Sequence, residues 1–406
     1  MWRSLQAMKQ IKKTNDYRGI MLTVCSVLAV LFIIWTFTGK WPWLYQPYNS
    51  YVLQAQSWLN GRLDLEQNYQ HLEIAVFNGK YYISFPPFPS YVMLPFVALG
   101  FDTCDGLIAL ISALLGAVYS FRILRLCGFE KDCSVFFSLM LTVASNWLFT
   151  AQSAWVWFIA QNMAFTLSLM AIYYSLKGKA ALSLALWACA VGCRPLQFFY
   201  LPILLYLLYD RFKDEKLAVI IRKKWVCVIP MAVIALSYMV LNFARFGNPL
   251  EFGHNYLPEF TEAEYGQFNI VYIFQNLISL IRLPKISFGG AWEYQAFNGT
   301  CMFLISPVFV SAVVYGVKGI FSKGKDRKLV ILIFVMALIE ILAITAHKTM
   351  GGSQFGNRYT NDILPMMLLL IGITLPKKDS ISKFNYVLFF IGITVNVVGS
   401  VLYYMG

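Results

Sequence analysis

Charge is scarce in this 406-residue sequence. Asp, Glu, Lys and Arg together make up 13%, against 59% hydrophobic residues. That is too little charge to coat a soluble globular domain of this size, and the composition excludes that class. None of the eight cysteines forms a CxxC pair, and most lie in or beside apolar runs. This argues against a metal knuckle or a disulfide framework and for small core residues. No internal repeat or low-complexity tract is visible, which weighs against repeat-built transporter folds. The basic stretch 1–18 precedes the apolar run Gly19–Thr38, but no small-residue cleavage motif closes that run. It reads as a retained first span, not a cleaved signal.

What is present is a polytopic membrane protein, a single membrane domain over 1–406. The spacing predicts an all-α bundle of about 11 transmembrane helices. Its candidate spans are 19–38, 105–124, 133–152, 155–176, 180–194, 195–209, 225–244, 301–321, 329–346, 363–376 and 385–404, with the division of the short pair falling at Arg194-Pro195. The net charge of +13 would suit nucleic acid, but its distribution decides otherwise. Of 33 Lys and Arg residues, 24 lie in the segments 1–18, 122–132, 177–179, 210–224, 318–328 and 377–383. All these segments share one face if the N-terminus is cytoplasmic, so the charge is topological, with contact to anionic lipids as a second use.

Three polar loops then lie outside: 39–104, 246–300 and 347–362. The first is unusually long for a connection between spans, and long loops tend to carry function. Its start, Tyr48–Leu59, has Tyr48, Tyr51, Val52, Ala55, Trp58 and Leu59 at helix-like spacing before the stop signal Gly61. This predicts a short helix on the membrane surface. The apolar segment Phe85–Phe101, entered through Pro86, Pro87 and Pro89, reads as a re-entrant or interfacial helix, because counting it as a span would put the later basic loops outside. Within the second loop, Ile270–Leu283 is amphipathic.

These loops bring cations and carboxylates together. A lipid-linked phosphate needs Arg or Lys to neutralise it, and a hydroxyl acceptor needs a carboxylate or His as general base. The segments GRLDL, GKYYISFPPFPSYVMLP, RFGNPLEFGHNY and GGSQFGNRYTNDILP resemble those of GT-C superfamily membrane glycosyltransferases. The nearest groups are the protein O-mannosyltransferase-like and aminoarabinose-transferase-like branches. The resemblance covers most of the chain in layout and about fifty residues in motifs. It implies a cytoplasmic N-terminus, a polyprenyl-phosphate sugar donor, an extracytoplasmic acceptor (glycan, lipid or protein), and inversion by a carboxylate of the first loop. Relatives often carry an acid just ahead of the surface helix; this sequence has Pro47-Tyr48-Asn49, and Asn49 cannot act as a base.

On this resemblance the role of the catalytic carboxylate passes to Asp64 or Glu73, or is absent. Asp64 follows Gly61-Arg62 at the end of the surface helix, with Arg62 its obvious partner, and Glu73 lies shortly before the turn signal Asn78-Gly79. Glu66 reads as a solvated neighbour. Asp64-x-Glu66 has oxygen ligands for a divalent cation, but the pattern is weak, the branch resembled generally works without metal, and no cofactor is expected. Lys80 and Arg358 are the first candidates for the donor phosphate, with Arg282 and Lys285 behind them. Arg62, His71, His254, His347 and Tyr82 are candidates for support. Glu340 stands inside a span, two turns before His347, where a proton relay competes with a structural hydrogen bond. A lipid-linked glycan flippase is the alternative; it predicts charges lining the spans, and only Glu340 is firmly intramembrane.

Overall fold

The computed structural model describes residues 16–212, 219, 225–286, 292–293, 299–322 and 326–405, with the backbone alone at 285–286 and 292–293. The base-rich segments 1–18, 210–224 and 318–328 therefore lie partly outside the described residues. Each of the eleven expected apolar segments is helical, as one rod or as two pieces joined at a break. In chain order the first are α1 (Tyr17–Thr38), α2 (Ser50–Leu59), α3 (Phe88–Ala98), α4 (Cys104–Leu126), α5 (Lys131–Leu141), α6 (Trp147–Thr150), α7 (Val156–Leu176) and α8 (Ala180–Val191). Next come α9 (Leu201–Phe212), α10 (Ile229–Phe246), α11 (Pro258–Thr261), α12 (Val271–Ile281) and α13 (Met302–Ile305). The chain closes with α14 (Val308–Phe321), α15 (Arg327–Thr345), α16 (Leu364–Thr374) and α17 (Lys383–Met405). Among the described residues six helices are long and apolar enough to cross a membrane: α1, α4, α7, α10 with the turn ahead of it, α15 and α17.

The breaks have local causes. Pro195 lacks an N–H and disfavours helical geometry in the residue before it; Arg194 accordingly is extended (φ −142°, ψ 113°) between α8 and the 3-10 turn Pro195–Tyr200. In α5 the hydroxyls of Ser138 and Thr142 bond back one turn, at 2.7 and 2.8 Å, and the helix unwinds at Thr142. The unwound stretch presents Asn146, fully buried. Its amide donates to the Phe355 carbonyl (3.0 Å), its Oδ1 accepts from the Asn357 N–H (2.9 Å), and its own N–H reaches Ser306 Oγ (2.9 Å). Away from water an irregular backbone is tolerated only with such partners, and here they tie the third loop to the bundle. Small residues let helices approach: a Cβ on Gly116 of α4 would stand 2.7 Å from Thr166 Oγ1 of α7.

The first loop folds back on itself. Asn78 (φ 49°) and Gly79 (φ 71°) form the expected turn, which joins strands Ile74–Phe77 and Lys80–Ile83 in antiparallel register. Helix α2 departs from expectation: Tyr51, Val52 and Ala55, at most 1% exposed, face protein and not a membrane. The reason is α3, which the prolines bring back across α2, where Ser90 donates to Gln54 (2.8 Å). With 11 residues, α3 is about 16 Å long, half of what a span needs.

The two ends of the bundle differ. At one end the described parts of the basic segments meet: Arg125 pairs with Asp16 (3.0 Å), Lys378 donates to the Cys127 carbonyl (2.6 Å), and Arg211 packs on Gly178. The three polar loops gather at the other end. There the second and third are stitched by a bridge between Phe268 and His347, with Asn269 N–H donating to the Ala346 carbonyl (2.8 Å). That bridge corrects one expectation. Helix α15 stops at Thr345, so Glu340 and His347 do not share a helix face. Glu340 is fully buried, and neither carboxylate oxygen has a hydrogen-bond partner among the described residues.

Candidate functional site

The three loops enclose a cavity of about 670 Å³. Its polar wall is built by Glu73 from the first loop, His254, Asn255, Glu259 and Gln267 from the second, His347, Arg358 and Tyr359 from the third, and Arg194 from the α8 break. Apart from Glu259, which sits in the four-residue helix α11, each is positioned by a loop or a 3-10 turn, as expected of sites carried on loops over a rigid bundle.

Two guanidiniums flank one ring: those of Arg194 and Arg358 lie 4.9 and 4.8 Å from the Tyr359 ring centre. Their charges are handled differently. Arg194 Nε and Nη2 both donate to Asp362 Oδ2, at 3.0 and 2.7 Å, while Gln161 donates to Oδ1 (3.1 Å) and the Tyr200 hydroxyl to the Asp362 carbonyl (2.5 Å). Arg194 is thus neutralised by a fully buried carboxylate. Among the described residues Arg358 has no such ion pair. Its Nε and Nη2 donate to the Gly351 carbonyl, at 3.1 and 2.9 Å, and its Nη1 has no partner among them although the residue is only 4% exposed. Burial, and then the charge of Arg194, push its pKa down; Tyr359, Glu73 and Asp362 oppose this.

The Glu73 carboxyl is held above the usual carboxylate range by burial, then by the neighbouring Glu259, while the Trp157 side chain as hydrogen-bond donor and the charge of Arg358 pull it down. Glu259 is also raised by burial, with Lys348 opposing. His254 Nδ1 lies 3.2 Å from the Ser84 carbonyl. A carbonyl only accepts, so Nδ1 carries the proton and Nε2 keeps its lone pair. Ser84 in turn donates its hydroxyl to the Glu73 carbonyl (2.9 Å), so the two residues are fixed on one wall. His347 has both nitrogens engaged, Nδ1 with the Thr349 carbonyl (2.7 Å) and Nε2 with Gln267 (3.2 Å).

Burial is the main force lowering both imidazoles, His254 to about 3 and His347 to about 4, and the two arginines add to it. Both rings are neutral at physiological pH. As pH falls below about 6.5 the unfolded chain takes up these protons first. The contribution to stability is therefore complete above 6.5 and erodes toward pH 4. The thermal midpoint of the protein in detergent is expected to drop between pH 7 and 4.5, by less in a His254→Gln/His347→Gln double variant.

The Arg194–Asp362 pair gives a second expected result. Asp362→Ala strands a buried cation and should cost about 3–5 kcal/mol, whereas Arg194→Met with Asp362→Leu should recover most of it, since apolar pairs of similar volume replace buried ion pairs at little cost. Thermal aggregation of the two variants beside the wild type checks this.

Of the residues singled out in the sequence, Glu73, Arg358, His254 and His347 meet in the cavity. The others do not line it. Asp64 pairs with Arg62 (3.2 Å), which also faces Glu66 (3.7 Å). Lys80 is exposed beside the hairpin turn. His71 is exposed, with Nε2 3.1 Å from the Pro47 carbonyl. Tyr82 packs on Phe246, ring centres 5.1 Å apart. The Arg282 carbonyl accepts from Thr300 Oγ1 and from the Cys301 N–H (both 2.7 Å), and the Lys285 side chain lies outside the described residues. Sequence reasoning passed over Arg194, Trp157 and Tyr359. For Arg194 a signal existed: an arginine at the junction of two apolar runs, directly before a proline.

No family model and no curated protein sequence matches this chain. Among solved structures it is similar to ArnT from Cupriavidus metallidurans bound to undecaprenyl phosphate, with a TM-score of 0.55 and 14% identity over 92% of this chain. It is also similar to the same protein in the apo state, with a TM-score of 0.50 and 14% identity over 94% of this chain and 75% of that one. This chain spans about 63% of the length of the first. At that identity the likeness is one of fold. The fold is ArnT-like, all-α and polytopic, and agrees with the GT-C-type bundle that the motifs resemble.

Proposed function

We propose that this protein is a membrane glycosyltransferase that moves a sugar from a polyprenyl-phosphate carrier to an acceptor at the loop-bearing end of the bundle. That end is extracytoplasmic in this reading, with the N-terminus in the cytoplasm. The observation that carries the proposal is Arg358: a buried guanidinium with no ion pair and one nitrogen unpartnered among the described residues, in a cavity that also holds a carboxyl of raised proton affinity. A buried cation of this kind calls for an anionic ligand. The similar fold of ArnT, a protein described with undecaprenyl phosphate bound, supports a lipid phosphate as that anion.

The chemistry follows from the residues. Arg358 neutralises the phosphodiester and stabilises the phosphate as it leaves the anomeric carbon. Glu73 takes the acceptor's proton as the acceptor oxygen bonds to that carbon from the opposite face, inverting it. The products are the glycosylated acceptor and polyprenyl phosphate. Glu73 takes this role over Asp64 because it lines the cavity with Arg358, whereas Asp64 is engaged by Arg62 outside it. The reading is tested with the purified protein in lipid nanodiscs: saturable binding of undecaprenyl phosphate is expected, and its absence would overturn the proposal.

A further inference from the structure

The cavity has a second wall that the phosphate chemistry does not use. Tyr48, Trp155 and Trp157 line it as a shelf of half-buried rings. Tyr48 lies 4.9 Å from Trp155 and 5.0 Å from Trp157, ring centre to ring centre. The shelf is built where the first loop meets α7: the Val156 N–H donates to the Tyr48 carbonyl (3.0 Å), and Trp155 is the residue that opens the helix. Two features mark it as a recognition surface. Large rings left half exposed on a cavity wall forgo burial that a core would give them, and the Tyr48 hydroxyl has no protein partner among the described residues. The cations of the site, Arg194 and Arg358, are gathered around Tyr359 and do not stack on these rings.

From this shelf we infer that the acceptor is a carbohydrate, its C–H face packed on one of these rings and its rim against the others, since the Tyr48 plane is inclined 64° to that of Trp155 and 47° to that of Trp157. The inference rests on the glycosyltransferase reading. A pyranose offers an apolar C–H face to an aromatic ring and hydroxyls at its rim, which matches flat rings edged by a phenol and indole N–H groups. The shelf belongs to the acceptor and not to the donor sugar because of the base. In an in-line displacement the base stands on the acceptor's side and the phosphate on the other. Trp157 and Glu73 line the same cavity, so the ring that carries the stack shares its wall with the base. A sugar on the shelf would have a hydroxyl within reach of Glu73.

Saturation-transfer difference NMR on the full chain in nanodiscs tests this. The probes are the methyl glycosides of glucose, mannose and N-acetylglucosamine and a threonine-containing tripeptide, with undecaprenyl phosphate affinity measured on the same samples. At least one glycoside is expected to receive saturation, and to go on doing so when undecaprenyl-phosphate-glucose occupies the donor site. Tyr48→Leu or Trp157→Leu should weaken that glycoside about tenfold while undecaprenyl phosphate binds as before; Trp157→Phe, which keeps a ring, should weaken it less. Response from the tripeptide alone, from no glycoside, or only while the donor site is empty would overturn the assignment. Each of these leaves the glycosyltransferase reading intact as long as undecaprenyl phosphate binds.

Discussion

Arg358→Ala is expected to weaken undecaprenyl phosphate binding by roughly 10²–10³-fold. Removing one partner of a buried, hydrogen-bonded charge pair costs about 2–5 kcal/mol, and Arg358 is a cavity cation with no direct ion pair among the described residues, Glu73 and Asp362 acting on it only at longer range. Arg194 cannot simply take over, because both its Nε and Nη2 are spent on Asp362. Arg358→Lys should fall between wild type and alanine. A lysine restores charge as a point but cannot donate to the Gly351 carbonyl and a phosphate through one planar fork. Lys80→Ala is the comparison: an exposed side chain at a hairpin tip is expected to change affinity little. Microscale thermophoresis or scintillation proximity with labelled undecaprenyl phosphate reads all three. Unchanged affinity in Arg358→Ala would remove the anion site from this cavity.

The contrast between Arg358 and Lys80 shows where the sequence is legible. Apolar runs and the placement of bases are local signals, and they give the bundle, its breaks and the gathering of three loops at one end. The Asn78-Gly79 turn and the Arg194-Pro195 junction were equally plain, each being a rule about two adjacent residues. The site was not local. Asp64 and Glu73 lie in one loop with similar neighbours along the chain, and only the folding of the second loop onto the first, through His254 and Ser84, sets Glu73 in the cavity. Arg194 meets Asp362 across 168 residues; no spacing rule reaches so far. The α2 stripe misled for the same reason: an apolar helix face reads alike whether lipid or α3 covers it.

Glu73→Gln is expected to lower transfer by about 10²–10⁴-fold, the usual contribution of a positioned general base, while undecaprenyl phosphate binding persists. The amide keeps the shape of the carboxyl and can still meet Trp157, but it cannot take a proton. Asp64→Asn, whose partner is Arg62, should stay within a few-fold of wild type. The raised proton affinity of Glu73 adds a signature that a merely structural carboxyl would lack. The base form is present above its pKa and lost below it, so the acidic limb of the rate profile should lie higher than that of an ordinary glutamate. Glu259 is one source of that shift, so Glu259→Gln should move the limb toward lower pH without abolishing transfer. A Glu73→Gln enzyme with full activity would place the base elsewhere. A Glu259→Gln profile that does not move would leave burial as the source of the shift and remove Glu259 from it.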